Sequence, residues 1–195
     1  MTPGYVTKEL RTLLETFDTD LLFRIIKSER RGTPLGAVPA PSRFSDPNLR
    51  YSVLYGATTI DCALWEGVIR DRFDLQPVRE VPRVDLECRD LVLFNSTRPL
   101  LLLDLRGGRA RRIFAPTAVT GAAHQADGQT LSSSLYNQLP DADGLIYDSR
   151  FTSDGCVAIF DRAFATLDAQ AIEPLPQIEE VHEALRAAGI TLVRP

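Results

Sequence analysis

The chain is poor in the residues most often used for nucleophilic and metal chemistry. It has two histidines, His124 and His182, and three cysteines, Cys62, Cys88 and Cys156, all far apart. Neither set has metal-ligand spacing, and an odd number of scattered thiols makes no disulfide framework. A zinc centre, a histidine-rich active site and a small disulfide-stapled scaffold are therefore not expected. Lysine is nearly missing as well: Lys8 and Lys27 stand alone, and arginine supplies the rest of the 22 basic residues. There is no run of about 18 apolar residues of the kind a membrane-crossing helix needs. The first twenty residues, MTPGYVTKELRTLLETFDTD, are charged throughout and lack the apolar centre of a signal peptide. The expectation is a cytoplasmic, reduced protein without membrane contact.

The 195 residues amount to one domain. A hydrophobic fraction of 44% is enough to bury a core without disulfides or metal. Twenty-six acidic residues against 22 basic ones give a net charge of −4 and a pI near 5.3, which argues against a protein that wraps nucleic acid. The arginine bias suits the binding of carboxylates or phosphates by planar guanidinium forks, and GC-rich coding explains it equally well.

Apolar spacing over residues 5–17 predicts a helix, and LLFRII at 21–26 a strand. Residues 31–47 hold two glycines and four prolines and read as a long loop, a place where function often resides. YSVLYG at 51–56 reads as a strand. A helix is predicted over 59–73, with Thr58 and Asp61 in near capping-box spacing. Its apolar faces are Ile60, Ala63, Leu64 and Val68 on one side and Trp65, Ile69 and Phe73 on the other. Glu66 lies on the flank of the second face, where a carboxylate needs a partner or a task. Residues 77–105 read as strands broken by turns, 106–112 as a Gly-bearing basic turn, 131–139 as a short helix, and DGLIYDS and DGCVAIF as two buried strands. Ala115 to Ala123 is ambiguous. The tail reads as a helix stopped by Gly189 and followed by a strand. Without a repeating βαβ rhythm, the fold class expected is α+β.

Dinucleotide and phosphate-loop glycine motifs, HExxH, GxSxG and CxxC are all missing. What remains is Arg24 in a strand, Arg43 in the Pro-rich loop, Tyr55 at a strand end, Glu66 on a helix and Ser149 after a strand. Each also has a purely structural reading: Arg24 on an edge strand, Tyr55 in the core, Ser149 capping a turn, and Glu66 paired with Arg70 at i,i+4.

The strings FRI at 23–25, TPLGAVPAPSRFSDP at 33–47, VLYGATTIDCALWE at 53–66 and DGLIYDSR at 143–150 resemble, in that order, the RES domain. The resemblance runs from Leu22 to Phe160. It divides the chain into an N-terminal helical extension (1–20), the RES domain (21–165) and a C-terminal helix–strand extension (166–195). It implies a single-domain, ADP-ribosyltransferase-like mixed sheet core with flanking helices. The activity implied is that of a toxin from a bacterial toxin–antitoxin pair that acts on NAD as substrate, with no separate cofactor and no metal. By the same resemblance Arg24, Glu66 and Ser149 match the arginine, glutamate and serine that give the family its name. Arg43 and Tyr55 match further NAD-pocket positions. The implied partner is an Xre-type antitoxin that blocks the pocket, assembles with the toxin into a higher-order complex and connects it to DNA only indirectly.

The chemistry is consistent with these residue types. Nicotinamide leaves NAD as a neutral molecule, so no strong acid is needed, and the difficulty is the oxocarbenium-like charge left on the ribose. Glu66 can stabilise that charge or hold a ribose hydroxyl. Arg24 and Arg43 suit the pyrophosphate, Tyr55 the nicotinamide ring or ribose, and Ser149 a phosphate, the ribose or the incoming nucleophile. Water, phosphate or a protein side chain are all open as acceptors, so hydrolysis, phosphorolysis and mono-ADP-ribosylation of a host protein all remain open. A phosphorylase needs a second anion site, for which Arg150 or the turn at Arg109–Arg112 is available. A degenerate RES domain that only binds its antitoxin is the non-enzymatic rival.

Overall fold

The computed structural model describes residues 5–70, 79–115, 119 and 125–194. Continuously apolar segments lie in the middle of a mixed sheet, and more polar ones form its rim. The middle strands β7 (Gly144–Asp148) and β8 (Gly155–Phe160) are buried almost end to end, as expected of strands covered on both faces. The rim strands β1 (Leu14–Phe17) and β9 (Leu167–Pro174) are only partly buried. Between them lie β2 (Leu22–Lys27), β3 (Val53–Ala57), β5 (Arg89–Ser96) and β6 (Leu100–Asp104). The order across the sheet is β1-β6-β7-β8-β3-β2-β5-β9, antiparallel except for the β6–β7 pair. A small parallel pair joins β4 (Glu80–Pro82) to β10 (Thr191–Val193).

Helices cover this sheet: α1 (Thr7–Arg11), α2 (Ile60–Leu64), α3 (Arg83–Glu87), α4 (Ala126–Gln138) and α5 (Glu179–Ala187). One core cluster includes Leu64 and Val68 from α2 and the turn that continues it, Leu131 and Leu135 from α4, and Val181 and Leu185 from α5. A second includes Leu22, Leu54, Val92, Phe94, Val157 and Ile159, alternate residues of the central strands. The fold is thus one α+β domain, as expected. No helix among the described residues is long and apolar enough to cross a membrane.

Several expectations change. The helix expected over 5–17 stops at Arg11, and Leu14–Phe17 becomes a strand paired with β6. The apolar Leu10 and Leu13 are buried in both schemes, but only the strand gives the outer edge of β6 hydrogen-bond partners. Of the strand expected over 77–87, only Glu80–Pro82 is extended; Arg83–Glu87 is helical, and residues 77–78 lie outside the described residues. Residues 14–17 and 167–174, placed by the resemblance in terminal extensions, are the two rim strands of the same sheet. Phe73, His124 and most of 115–123 lie outside the described residues. The basic turn consists of two short 3-10 pieces separated by Gly107 (φ 57°) and Gly108 (φ 77°), where left-handed backbone favours glycine.

One irregularity sets up the site. β2 and β3 meet at a single register pair, Phe23 opposite Ala57. A cavity of about 490 Å³ is lined from both strands beyond that point, by Arg24 and Ile25 on one and by Val53, Tyr55 and Gly56 on the other.

Candidate active site

α2 follows β3 directly and is capped by Thr59, whose Oγ1 accepts from Cys62 N–H at 3.1 Å. The cap expected was Thr58. That hydroxyl instead donates to Gly155 O (3.2 Å) and accepts from Gly155 N–H (3.1 Å), tying the turn to β8. After Leu64 the helix widens into a π turn over Trp65–Ile69, with Arg70 N–H bonded to Trp65 O. Single π turns of this kind are often found at functional sites, and this one holds Glu66. Gly67 lets the turn lie close to β2, since a Cβ there would sit 3.3 Å from Ile25 Cβ.

Glu66 lines the cavity, with its side chain 17% exposed. Ser149 Oγ donates to Glu66 Oε1 at 2.9 Å and accepts from Phe151 N–H at 3.2 Å. Arg70 Nη1 lies 3.5 Å from Glu66 Oε2, so the i,i+4 pairing read from the sequence exists within the cavity wall. Ser149 itself is buried behind the carboxylate. It fixes one oxygen of Glu66 and leaves the other to the arginine side.

Arg24 reaches the cavity from β2, and its Nη2–H donates to Gly36 O at 3.3 Å. Its Nη1 is buried without a hydrogen-bond partner among the described residues. Desolvation, with help from the like charge of Arg30, pushes its pKa down to about 10, so the guanidinium stays charged at neutral pH. A buried, charged and half-unsatisfied guanidinium is costly unless an anion completes it.

Arg43 enters from the Pro-rich loop, which is tightly held. Tyr55 Oη accepts from Phe44 N–H (3.0 Å) and donates to Ser42 Oγ (2.9 Å). Gln129 Nε2–H donates to Ser42 O (3.0 Å), and Ser132 Oγ–H donates to Phe44 O. Gly128 allows α4 to approach, because a Cβ there would lie 2.5 Å from Arg43 O. Burial raises the Tyr55 phenol, with Ser42 and Phe44 N–H opposing. Its hydroxyl therefore clamps the loop while its ring lines the cavity.

The structure thus brings Arg24, Arg43, Tyr55 and Glu66 into one cavity, with Ser149 directly behind Glu66. Arg150 lines it too, with its guanidinium 4.5 Å over the Phe151 ring. The basic turn is absent from the lining. Arg106 and Arg109 are bound instead to Asp104, and Arg109 also to Glu15. Sequence reasoning missed Gln125 in the lining and Gln129 and Ser132 in the clamp. Nothing in the local pattern of α4 marks the face that meets the loop. Among the described residues, four arginines (Arg24, Arg43, Arg70 and Arg150) and one carboxylate (Glu66) line the cavity, which suits a polyanion.

Comparison with known proteins bears on the fold and the family. A chain of 12% identity, the MbcT toxin in the crystal structure of the M. tuberculosis MbcT–MbcA toxin–antitoxin complex, superimposes with a TM-score of 0.70 over 93% of this chain and 96% of its own. A probable toxin of Sinorhizobium fredii, y4kH, is 38% identical over 97 residues, covering 49% of this chain and 76% of that protein. Residues 21–181 match the RES domain, and the chain belongs to the RES domain family.

Proposed function

We propose that this protein is the toxin of a bacterial toxin–antitoxin pair, and that it cleaves the nicotinamide–ribose bond of NAD. The observation that carries this reading is the buried Nη1 of Arg24, unpartnered among the described residues, in a cavity where Ser149 holds the carboxylate of Glu66. An anion held at Arg24 and a cationic carbon facing Glu66 are the two halves of a dinucleotide whose glycosidic bond is about to break. The C–N bond electrons leave with nicotinamide and neutralise its pyridinium. The ribose carbon becomes oxocarbenium-like, and the Glu66 carboxylate opposes that charge. Water or phosphate then adds to the same carbon; water gives ADP-ribose, nicotinamide and a proton, and phosphate gives ADP-ribose-1″-phosphate. Arg43 serves the second phosphate group, and the Tyr55 ring gives nicotinamide a flat apolar surface. NAD is substrate here, and no further cofactor or metal enters the scheme.

The RES resemblance gives an Xre-type antitoxin as partner, with any link to DNA running through it, and the toxins among its relatives support a protein partner. The reaction belongs to the cytoplasm, where NAD is plentiful.

The test is to incubate the purified, partner-free chain with NAD, with and without phosphate, and to separate the products by chromatography and mass. Free nicotinamide is expected. ADP-ribose in both conditions identifies a hydrolase, and ADP-ribose-1″-phosphate formed only with phosphate identifies a phosphorylase. A folded protein that releases no nicotinamide overturns the reading and directs the search to a transferase lacking its protein target.

A further inference from the structure

Two thiols that the proposed reaction does not use lie beside Glu66. Cys62 is in the first turn of α2, four residues before Glu66, and Cys156 is the second residue of β8, opposite Ala57 of β3. They are 94 residues apart in sequence, and their Sγ atoms are 3.3 Å apart, buried, with both thiols free. The turn from β3 into α2 creates this pairing, because it brings the start of the helix back over the strand next to β3. Cys156 lines the cavity, so a small neutral molecule entering by the substrate's route reaches the pair.

We propose that Cys62 and Cys156 form an oxidation site for hydrogen peroxide, closing to a disulfide that slows the enzyme by moving α2 relative to Ser149. The effect on turnover rests on the NAD reading above; the modification itself rests on the thiol geometry alone. The chemistry balances in two steps. One thiol takes an oxygen from the peroxide O–O bond, giving a sulfenic acid and one water. The sulfur of the second thiol then displaces that oxygen, forming the S–S bond and releasing a second water. Peroxide is the oxidant, and the two cysteines together lose two protons and two electrons.

The local environment favours the first step. A hydrogen bond from Cys156, together with bonds to Thr152 and Ser149, holds the Cys62 thiol below its ordinary range against the opposing effect of burial. A disulfide needs an S–S separation of about 2.05 Å, so the sulfurs have to move together by about an ångström. Cys62 is on the same helix as Glu66, one turn earlier. The 2.9 Å bond from Ser149 to Glu66 is therefore strained or broken when that turn is drawn toward β8.

Cys88 is exposed and is not part of the cavity lining, so a Cys88→Ser protein with full turnover is the background for the test. The protein is treated with hydrogen peroxide, and intact mass, linked peptides and NAD cleavage are followed before and after dithiothreitol. The expected product is lighter by two hydrogens, yields a Cys62–Cys156 linked peptide, turns NAD over about tenfold more slowly or worse, and recovers on reduction. Cys62→Ala and Cys156→Ala, each added to this background, give no linked peptide. Failure to form the link under conditions that oxidise Cys88 in the unmodified protein overturns the proposal. So does a linked protein with undiminished turnover. If the reduced enzyme does not cleave NAD at all, the functional reading fails, and the linked peptide still decides whether the oxidation site exists.

Discussion

Ser149 Oγ and Glu66 Oε1 are 2.9 Å apart although 83 residues separate them in the chain. The serine hydroxyl donates, so the glutamate must accept, and its carboxylate is fixed in one rotamer facing the cavity. Glu66→Gln keeps that shape and removes the charge. Turnover is expected to fall by about 10²–10³-fold, with NAD affinity by calorimetry nearly unchanged. Ser149→Ala leaves the charge and frees its orientation. A loss of about tenfold in kcat with little change in KM is expected, from the worth of one hydrogen bond. Steady-state kinetics of both variants checks the pair, and full activity in the glutamine variant removes the electrostatic role.

Arg24 is expected to act on binding before it acts on rate. Its Nη1 has no partner among the described residues, so the substrate completes it. Arg24→Ala gives up charged hydrogen bonds of about 1.5–3 kcal/mol, which is about 10- to 100-fold in NAD affinity. Calorimetry on the folded variant measures this directly, and an unchanged dissociation constant removes Arg24 from the phosphate-binding role.

Gly128 tests the loop clamp without replacing a cavity residue. An added Cβ meets Arg43 O at 2.5 Å and Arg43 Cγ at 2.9 Å, so Gly128→Ala pushes the loop away from α4. A stability loss of about 1–3 kcal/mol is expected from overpacking. A rise in KM is expected beside it, because Arg43 moves with the backbone. Denaturant melts together with a substrate titration separate the two effects.

Asp104 governs acid stability near the rim. Burial pushes its carboxyl up, but the Arg106 side chain and N–H, with Arg109, outweigh this and hold the pKa below 3.8. A depressed folded-state pKa adds stability that is complete above the unfolded value and disappears as pH falls through the folded one. Asp104→Asn is therefore expected to cost about 1–3 kcal/mol at neutral pH. The gap to the unmodified protein should narrow as pH falls below the ordinary carboxylate range and the Asp104 carboxylate takes up its proton. Denaturation midpoints across that range give the answer, and a gap independent of pH argues against the ion pair as its source.

The elements that carry the site were legible from local spacing, and the candidate residues from the order of the RES-like strings. The apolar stretches at 22–27, 144–148 and 155–160 became strands, and the Thr–Asp signal before residue 62 marked the helix that holds Glu66. Tyr55 was legible as a pocket position but not as the hydrogen-bonded anchor of Ser42 and Phe44, since its partners lie across a loop without periodicity. The end of α1 was misread because Leu14 and Phe17 keep helical spacing, while the unpaired edge of β6 offered their backbone a better partner.

By itself the sequence pointed to the α+β class and, through its resemblance to the RES domain, to Arg24, Arg43, Tyr55, Glu66 and Ser149 as candidate site residues. The class follows from periodicity and from the RES resemblance together, and the candidate residues follow from the resemblance, which the order of four strings along the chain carries. Only the tertiary structure decided that Ser149 braces Glu66 and that Arg109 answers to Asp104 rather than to a ligand. It also decided that β2 and β3 part after one residue pair to open the cavity, and that two thiols 94 residues apart meet beneath it. Those relationships depend on which strands become neighbours, and neighbour choice is set by burying both faces of the sheet together, a constraint that no single segment contains.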